Sequence, residues 1–197
     1  MNVQPQLPVH GQSTIAEIMP SVAKLLRPEM ADAQPLLNIA SAQRYVLVMV
    51  DGLGLELLRR HSERVPYLGS LLDHCLALTS AVPSTTATSL TSLGTGLPPG
   101  QHGVVGYTFR VNGEPLNALA WNPAVPAEQV QTHPTWFSKL AQEGVLVSAV
   151  CPAHFEHSGL TKASQRGARF VPVPPGTSRD ERISYTVAAA TAADQTF

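Results

Sequence analysis

Charge is scarce in this chain: 14% of the 197 residues are Asp, Glu, Lys or Arg, and neither sign is in surplus, the net charge being −1. With no basic excess to neutralise a phosphate backbone, nucleic-acid binding as a main role is unsupported. No apolar run approaches the roughly 20 residues that cross a bilayer, so no membrane partner is expected. Residues 1–20 have neither a basic n-region nor an apolar h-region, and no secretory leader is expected there. Aromatics make up only 6%, and the two cysteines, Cys75 and Cys151, stand alone. That argues against a disulfide framework and for two buried thiols in a cytoplasmic protein. What the chain does have is 44% hydrophobic residues, 17 Pro and 14 Gly. This is enough for one sizeable core with a large share of loop.

No repeat or low-complexity linker divides the chain. Thr14 and Glu17 have capping-box spacing and open a helix running to about Leu26, interrupted by Pro20. Residues 28–38 form a connector. The run YVLVMV at 45–50 fits a strand buried on both faces of a parallel sheet. Residues 53–61 read as a helix with leucines inside. Pro66 opens a second short helix to Leu72, and 75–82 is another buried strand. Residues 135–142 form a helix closed by Gly144, 145–150 a third strand, 169–173 a fourth, and 179–193 a last helix. Strands alternating with helices indicate an α/β fold with a largely parallel sheet. Asn112-Gly113, between YTFRV and EPLNAL, signals a β-hairpin with a type I′ turn as an excursion from that sheet.

Two segments carry chemistry. Asp51 directly follows the 45–50 run and precedes Gly52-Leu53-Gly54. Ligands gather beyond the carboxyl ends of parallel strands, so a carboxylate there can face a cation. Equally, it can cap the next helix. No dinucleotide, phosphate-loop or nucleophile-elbow signature is present. The second segment, 84–96, is PSTTATSLTSLGTG with its leading proline, and carries no charge. Pro83 stops the preceding strand, and Ser84 can cap a helix whose apolar face is Ala87, Leu90 and Leu93. A surface helix normally carries charges, so this one is expected to be buried. A hydroxyl in its first turn would lie where free N–H groups and the helix dipole favour an anion. Activating it needs a base or a metal, and no histidine is adjacent. The competing reading is a buried helix whose hydroxyls bond back to its own carbonyls.

Taken together, VLVMVDGLG at 46–54 and VPSTTATSLTSLGTGLPPGQHGVVGY at 82–107 resemble the alkaline-phosphatase superfamily. Within it, they resemble the type I phosphodiesterase/nucleotide pyrophosphatase group. The resemblance covers roughly residues 44–175, with firm anchors in 46–107, including Pro99, His102 and Gly103. It implies a three-layer α/β sandwich, here incomplete, and Asp51 as a metal ligand. It also implies Thr86, ten residues before Gly96, as nucleophile and second metal-facing oxygen. Further implications are a phospho-threonine intermediate, two divalent ions with Zn²⁺ favoured, and a small-molecule phosphate ester as substrate. The Ala87 N–H would help hold a phosphate oxygen, and Ser89 could contact phosphate.

The chain departs from the family in two places. Ser89 stands where the nucleotide pyrophosphatases have Asn, which puts nucleotide specificity in doubt. The later Asp-x-x-x-His and distal Asp-His motifs that complete the two-metal site are absent, and Asp73-His74 reads as a solvated turn. Asp51 and Thr86 are two donors where zinc takes three or four. The expectation is therefore a single partial catalytic domain over 1–197, with an N-terminal helix and connector over 1–43 and an α/β core portion over 44–197, inactive when taken alone. A non-catalytic remnant or binding module of the same fold is the alternative.

Among the remaining candidates, Cys151, His154 and His157 fit no zinc spacing and suggest a structural or pocket loop. His102 is expected to fix its loop by hydrogen bonds. Tyr107, Phe109 and Trp121 suit either a leaving-group pocket or packing. His10, His61 and His133 read as surface or turn residues. A sulfatase lacks support without Cys-x-Pro-x-Arg, and the phosphoglycerate-mutase branch would place Ser at 86.

Overall fold

The computed structural model describes residues 6–197. Thr14 caps a 3-10 turn, Ile15–Glu17, that runs straight into helix α1, Ile18–Leu26. The expected capping box forms: the Glu17 carboxylate accepts the amides of Thr14 at 2.5 Å and Gly11 at 2.8 Å. Those two donors are what allow a carboxylate to be buried there. Pro20 does not interrupt the helix, because it lies in the first turn, where backbone N–H groups lack an intrahelical acceptor.

The later elements are α2 (Leu55–Arg60), α3 (Pro66–Ser70), α4 (Thr86–Thr95) and α5 (Pro99–His102), then a hairpin of β1 (Thr108–Val111) and β2 (Glu114–Asn117). They continue with α6 (Ala127–Val130), α7 (Trp136–Gln142), β3 (Ser148–Pro152), α8 (Gly159–Gln165), β4 (Arg169–Val173) and α9 (Arg179–Ala190). The hairpin turns on Asn112 and Gly113, both at positive φ (53° and 88°), as a type I′ turn requires. β3 and β4 pair in parallel with Ser148 opposite Arg169. The chain is thus mixed α/β. Its described strands form the expected antiparallel hairpin and one parallel pair, with isolated parallel bridges at Arg44–Thr196, Leu146–Thr196 and Thr14–Thr79, which is less than the largely parallel three-layer sheet expected from sequence.

The difference comes from two runs. Residues 45–50 and 75–82, expected as buried strands, touch a ladder only at their edges, where Tyr45 N–H donates to Thr196 O beside the Arg44–Thr196 bridge, and where Thr79 bridges Thr14. Every side chain from 46 to 50 is exposed, Val48 by 74%. A Val-rich strand is stabilised by partners on both edges and cover on both faces. Among the described residues no strand pairs with 46–50. Helices α2 and α3, which follow, bury no residue, so the leucines expected inside α2 lie exposed or half-buried. Cys75 is exposed and Cys151 half-buried, which corrects the expectation of two buried thiols. Asp73 and His74 lie in an exposed 3-10 turn, as expected.

Helix α4 holds the molecule together. On one side Leu93 joins Met19, Val22 and Leu26 of α1 with Phe137 and Leu140 of α7. On the other, Ala87 packs with Val104, Ala118 and Leu160. Two of its hydroxyls bond back within the helix: Thr91 donates to Ala87 O at 2.8 Å and Thr95 to Thr91 O at 2.7 Å. α8 crosses it so closely that a Cβ on Gly94 would lie 1.8 Å from the Ser164 carbonyl oxygen. His102, fully buried, ties the α5 turn to α4 as expected. Val104 N–H donates to its Nδ1 at 3.1 Å, which leaves the proton on Nε2 for the bond to Ser92 Oγ at 2.9 Å. Burial pushes the imidazole pKa down to about 4.

Two outcomes are expected. Gly94→Ala, a change that stabilises an exposed helix by up to ~1 kcal/mol, should here lower stability by about 3 kcal/mol, read from urea midpoints. His102 is neutral when folded down to about pH 4, whereas unfolded it binds a proton below about 6.5. Its contribution is therefore full above pH 6.5 and declines as pH falls towards 4, by about 3 kcal/mol in total. Urea unfolding of His102→Gln should show a correspondingly shallower pH dependence across that window.

Candidate active site

Pro83 ends the extended segment before α4, and the chain turns into the helix through Thr85, whose φ of −95° and ψ of 151° are those of an N-cap. Thr85 takes the capping role expected of Ser84. Its hydroxyl accepts the Thr88 amide at 3.3 Å, and its carbonyl accepts that of Ser89 at 2.9 Å. The amides of Thr86 and Ala87 are left at the helix start, where the positive end of the dipole favours an anion. Ala87 is wholly buried, so the first turn is anchored from beneath while the neighbouring Thr86 remains half-buried.

Asp51 reaches this helix start from a separate segment. It sits in a tight turn with Gly52, whose φ of 76° suits glycine. Thr86 Oγ1 donates to Asp51 Oδ2 at 2.8 Å, across 35 residues of sequence. The alternative role for Asp51, capping the following helix, is not taken: Gly54 holds that position and no side chain caps α2. The Tyr107 hydroxyl stands 3.4 Å from Thr86 Oγ1, with the ring 45% exposed. Phe109 and Trp121 pack beside the Ala87 cluster instead. Ser89 is half-buried one turn further along α4, and among the described residues its hydroxyl bonds to none of Thr86, Asp51 or Tyr107.

The pair offers a hydroxyl oxygen and a carboxylate, beside a helix N-terminus, on an open surface. These are oxygen donors suited to a hard or borderline cation, but only two of them. Among the described residues no three His, Cys, Asp or Glu side chains come together. Zinc shells are built from three or four protein ligands, so these residues do not by themselves fit a metal site. His102 is committed to Ser92 and Val104. His154 and His157 are exposed, with the His154 ring 4.0 Å from that of Phe155.

Sequence reasoning missed two features. One is Thr85, although Thr85 and Thr88 have cap-to-N3 spacing and their hydroxyls lie 2.8 Å apart. The other is a groove of about 690 Å³ lined by 45–49, β3, α4 and α9, with Asp51 and Thr86 also on its wall. Treating 45–50 as an already paired strand hid it.

The profile of the family described as type I phosphodiesterase / nucleotide pyrophosphatase matches residues 45–194, more than half of the chain. No curated protein and no solved structure gives a significant match. The matched span includes both halves of the Asp51–Thr86 contact and the hairpin that delivers Tyr107. The chain belongs to the type I phosphodiesterase/nucleotide pyrophosphatase family.

Proposed function

We propose that the chain carries the nucleophile for hydrolysis of small phosphate esters, Thr86, with Asp51 as the carboxylate that orients and polarises it. The family is one of phosphate ester hydrolases, generally metal-dependent. The observation that carries the proposal is the 2.8 Å hydrogen bond from Thr86 Oγ1 to Asp51 Oδ2, made at the one end of α4 that attracts anions.

A threonine hydroxyl is a weak nucleophile near its ordinary pKa. Donation to Asp51 fixes the rotamer of Thr86 and draws its proton towards the carboxylate. In the reaction Oγ1 would bond to phosphorus in line with the leaving oxygen, whose bond to phosphorus breaks. The hydroxyl proton would pass to Asp51. Water would then hydrolyse the phospho-threonine, releasing phosphate or its monoester and restoring Thr86. The Ala87 amide and the Ser89 hydroxyl are the groups proposed for the phosphate oxygens, with Tyr107 beside the leaving group. In the two-ion site the resemblance implies, with zinc as the proposed metal, Asp51 and Thr86 would face one of the ions. As a two-oxygen set they do not complete its shell, and no chemical step is assigned to a metal.

The shortage of donors favours one second reading, a module that binds phosphate esters without turning them over. Hydrolysis of bis(4-nitrophenyl) phosphate with added zinc separates the two. Under the first reading Thr86→Ala should lower the rate about 100-fold or more while Thr86→Ser keeps measurable turnover. Undiminished activity in Thr86→Ala would rule the nucleophile out. Under the second reading neither variant differs from the parent, because none turns over. Zinc calorimetry should show binding far weaker than the ~10–16 kcal/mol of a structural zinc. Tight stoichiometric uptake would show a ligand set larger than Asp51 and Thr86.

A further inference from the structure

Two hydrogen bonds meet at Thr86 Oγ1, and only one of them can use its proton. That proton goes to Asp51 Oδ2 at 2.8 Å. A carboxylate only accepts, so the second contact, 3.4 Å from the Tyr107 hydroxyl, has the phenol as its donor. Among the described residues the Tyr107 hydroxyl has no other partner. The contact is long beside the ~2.7–2.8 Å of an ordinary O–H···O bond, so it is weak and easily exchanged. It also lands on an Oγ1 lone pair, which attack on phosphorus requires.

The phenol is held in place from beneath. Tyr107 O accepts the Ala118 N–H at 2.7 Å, just past the end of β2. Ala118 packs with Ala87, the residue after Thr86, and so does Val104, three residues before Tyr107. One buried cluster therefore carries both the nucleophile and the phenol, while the ring itself stays 45% exposed and open to a substrate.

We propose that Tyr107 is a catalytic residue whose O–H turns from Thr86 Oγ1 to an equatorial phosphoryl oxygen as Oγ1 bonds to phosphorus. This rests on Thr86 as the nucleophile. In-line displacement puts the leaving oxygen on the far side of phosphorus, with the three charge-bearing equatorial oxygens in between. A donor held beside Oγ1 meets an equatorial oxygen before it meets the leaving one. The bond from Oγ1 to phosphorus forms, the bond to the leaving oxygen breaks, and the Thr86 proton passes to Asp51. Tyr107 keeps its own proton throughout. Its hydroxyl frees the attacking lone pair and then stabilises the charge on the phosphoryl group, while the ring can still flank the leaving group. A long bond in the resting site becomes a strong one in the transition state, and that difference is what accelerates a reaction.

Calorimetric titration with inorganic orthovanadate tests this against inorganic phosphate. Vanadate bonded to a hydroxyl is five-coordinate like the transition state, whereas phosphate stays tetrahedral. Tyr107→Phe should keep the parent's urea midpoint and hardly change its phosphate affinity. Its vanadate affinity should fall about 10-fold, less than the ~10²–10³ of a water-excluded donor because water reaches this ring. Thr86→Ala should lose the preference for vanadate over phosphate. Unchanged vanadate affinity in Tyr107→Phe, with that preference lost in Thr86→Ala, would overturn the inference and leave Thr86 as the nucleophile. Equal weakening of both ions in Tyr107→Phe, or a lowered urea midpoint, would overturn it in favour of a structural role. A preference that survives in Thr86→Ala would instead sink the nucleophile reading beneath it. No vanadate preference in the parent would overturn the inference as well.

Discussion

Burial of a helix with no charged side chain is the constraint on which the rest of the structure depends. From Thr86 to Thr95, α4 has neither a charge for solvent nor a strong intrinsic helix preference. It is helical because α1, α5, α7 and α8 close around it and because Thr91 and Thr95 donate to its own carbonyls while Ser92 Oγ accepts from His102 Nε2. Two of its contacts leave no slack: the Gly94 approach to Ser164 and the Ser92–His102 hydrogen bond. A helix fixed this rigidly from beneath can hold its first turn at the surface with Thr86 accessible and two amides unclaimed.

The two halves of the site are supported very differently. Thr86 rests on the best-packed element of the chain. Asp51 hangs from a run that, among the described residues, has no strand partner, and that leads into helices that bury nothing. The Thr86–Asp51 hydrogen bond therefore joins a rigid body to a loosely held arm. Precise catalytic geometry needs both sides fixed, since small displacements of reacting groups cost large factors in rate. The exposed run at 46–50 and the two-donor pair describe one condition: the nucleophile is organised, and the carboxylate it meets is not.

The sequence was most legible where the physics is local. The Thr14–Glu17 box, the Asn112-Gly113 turn, Pro66 at a helix start and Gly144 after α7 all depend on a few neighbouring residues, and all are present. The uncharged composition of α4 foretold its burial. The motif pairing foretold that Asp51 and Thr86 would meet, which neither segment indicates alone. The runs at 45–50 and 75–82 failed because a buried strand depends on partners elsewhere, and hydrophobicity reports only the demand for them. The cap moved from Ser84 to Thr85 because several adjacent hydroxyls satisfy the same preference, and the Thr88 amide selects among them by position. Ser89 has family spacing, yet no contact in the structure joins it to the pair.

Covalent capture at Thr86 is the central chemical claim. Its most direct measurement is peptide mapping by mass spectrometry after acid quench of the zinc-supplemented chain with an aryl phosphodiester. One phosphoryl adduct is expected, located on Thr86 and missing from Asp51→Asn or strongly reduced in it. An adduct on Thr85, Thr88 or Ser89 instead, or turnover with no protein adduct at all, would contradict it.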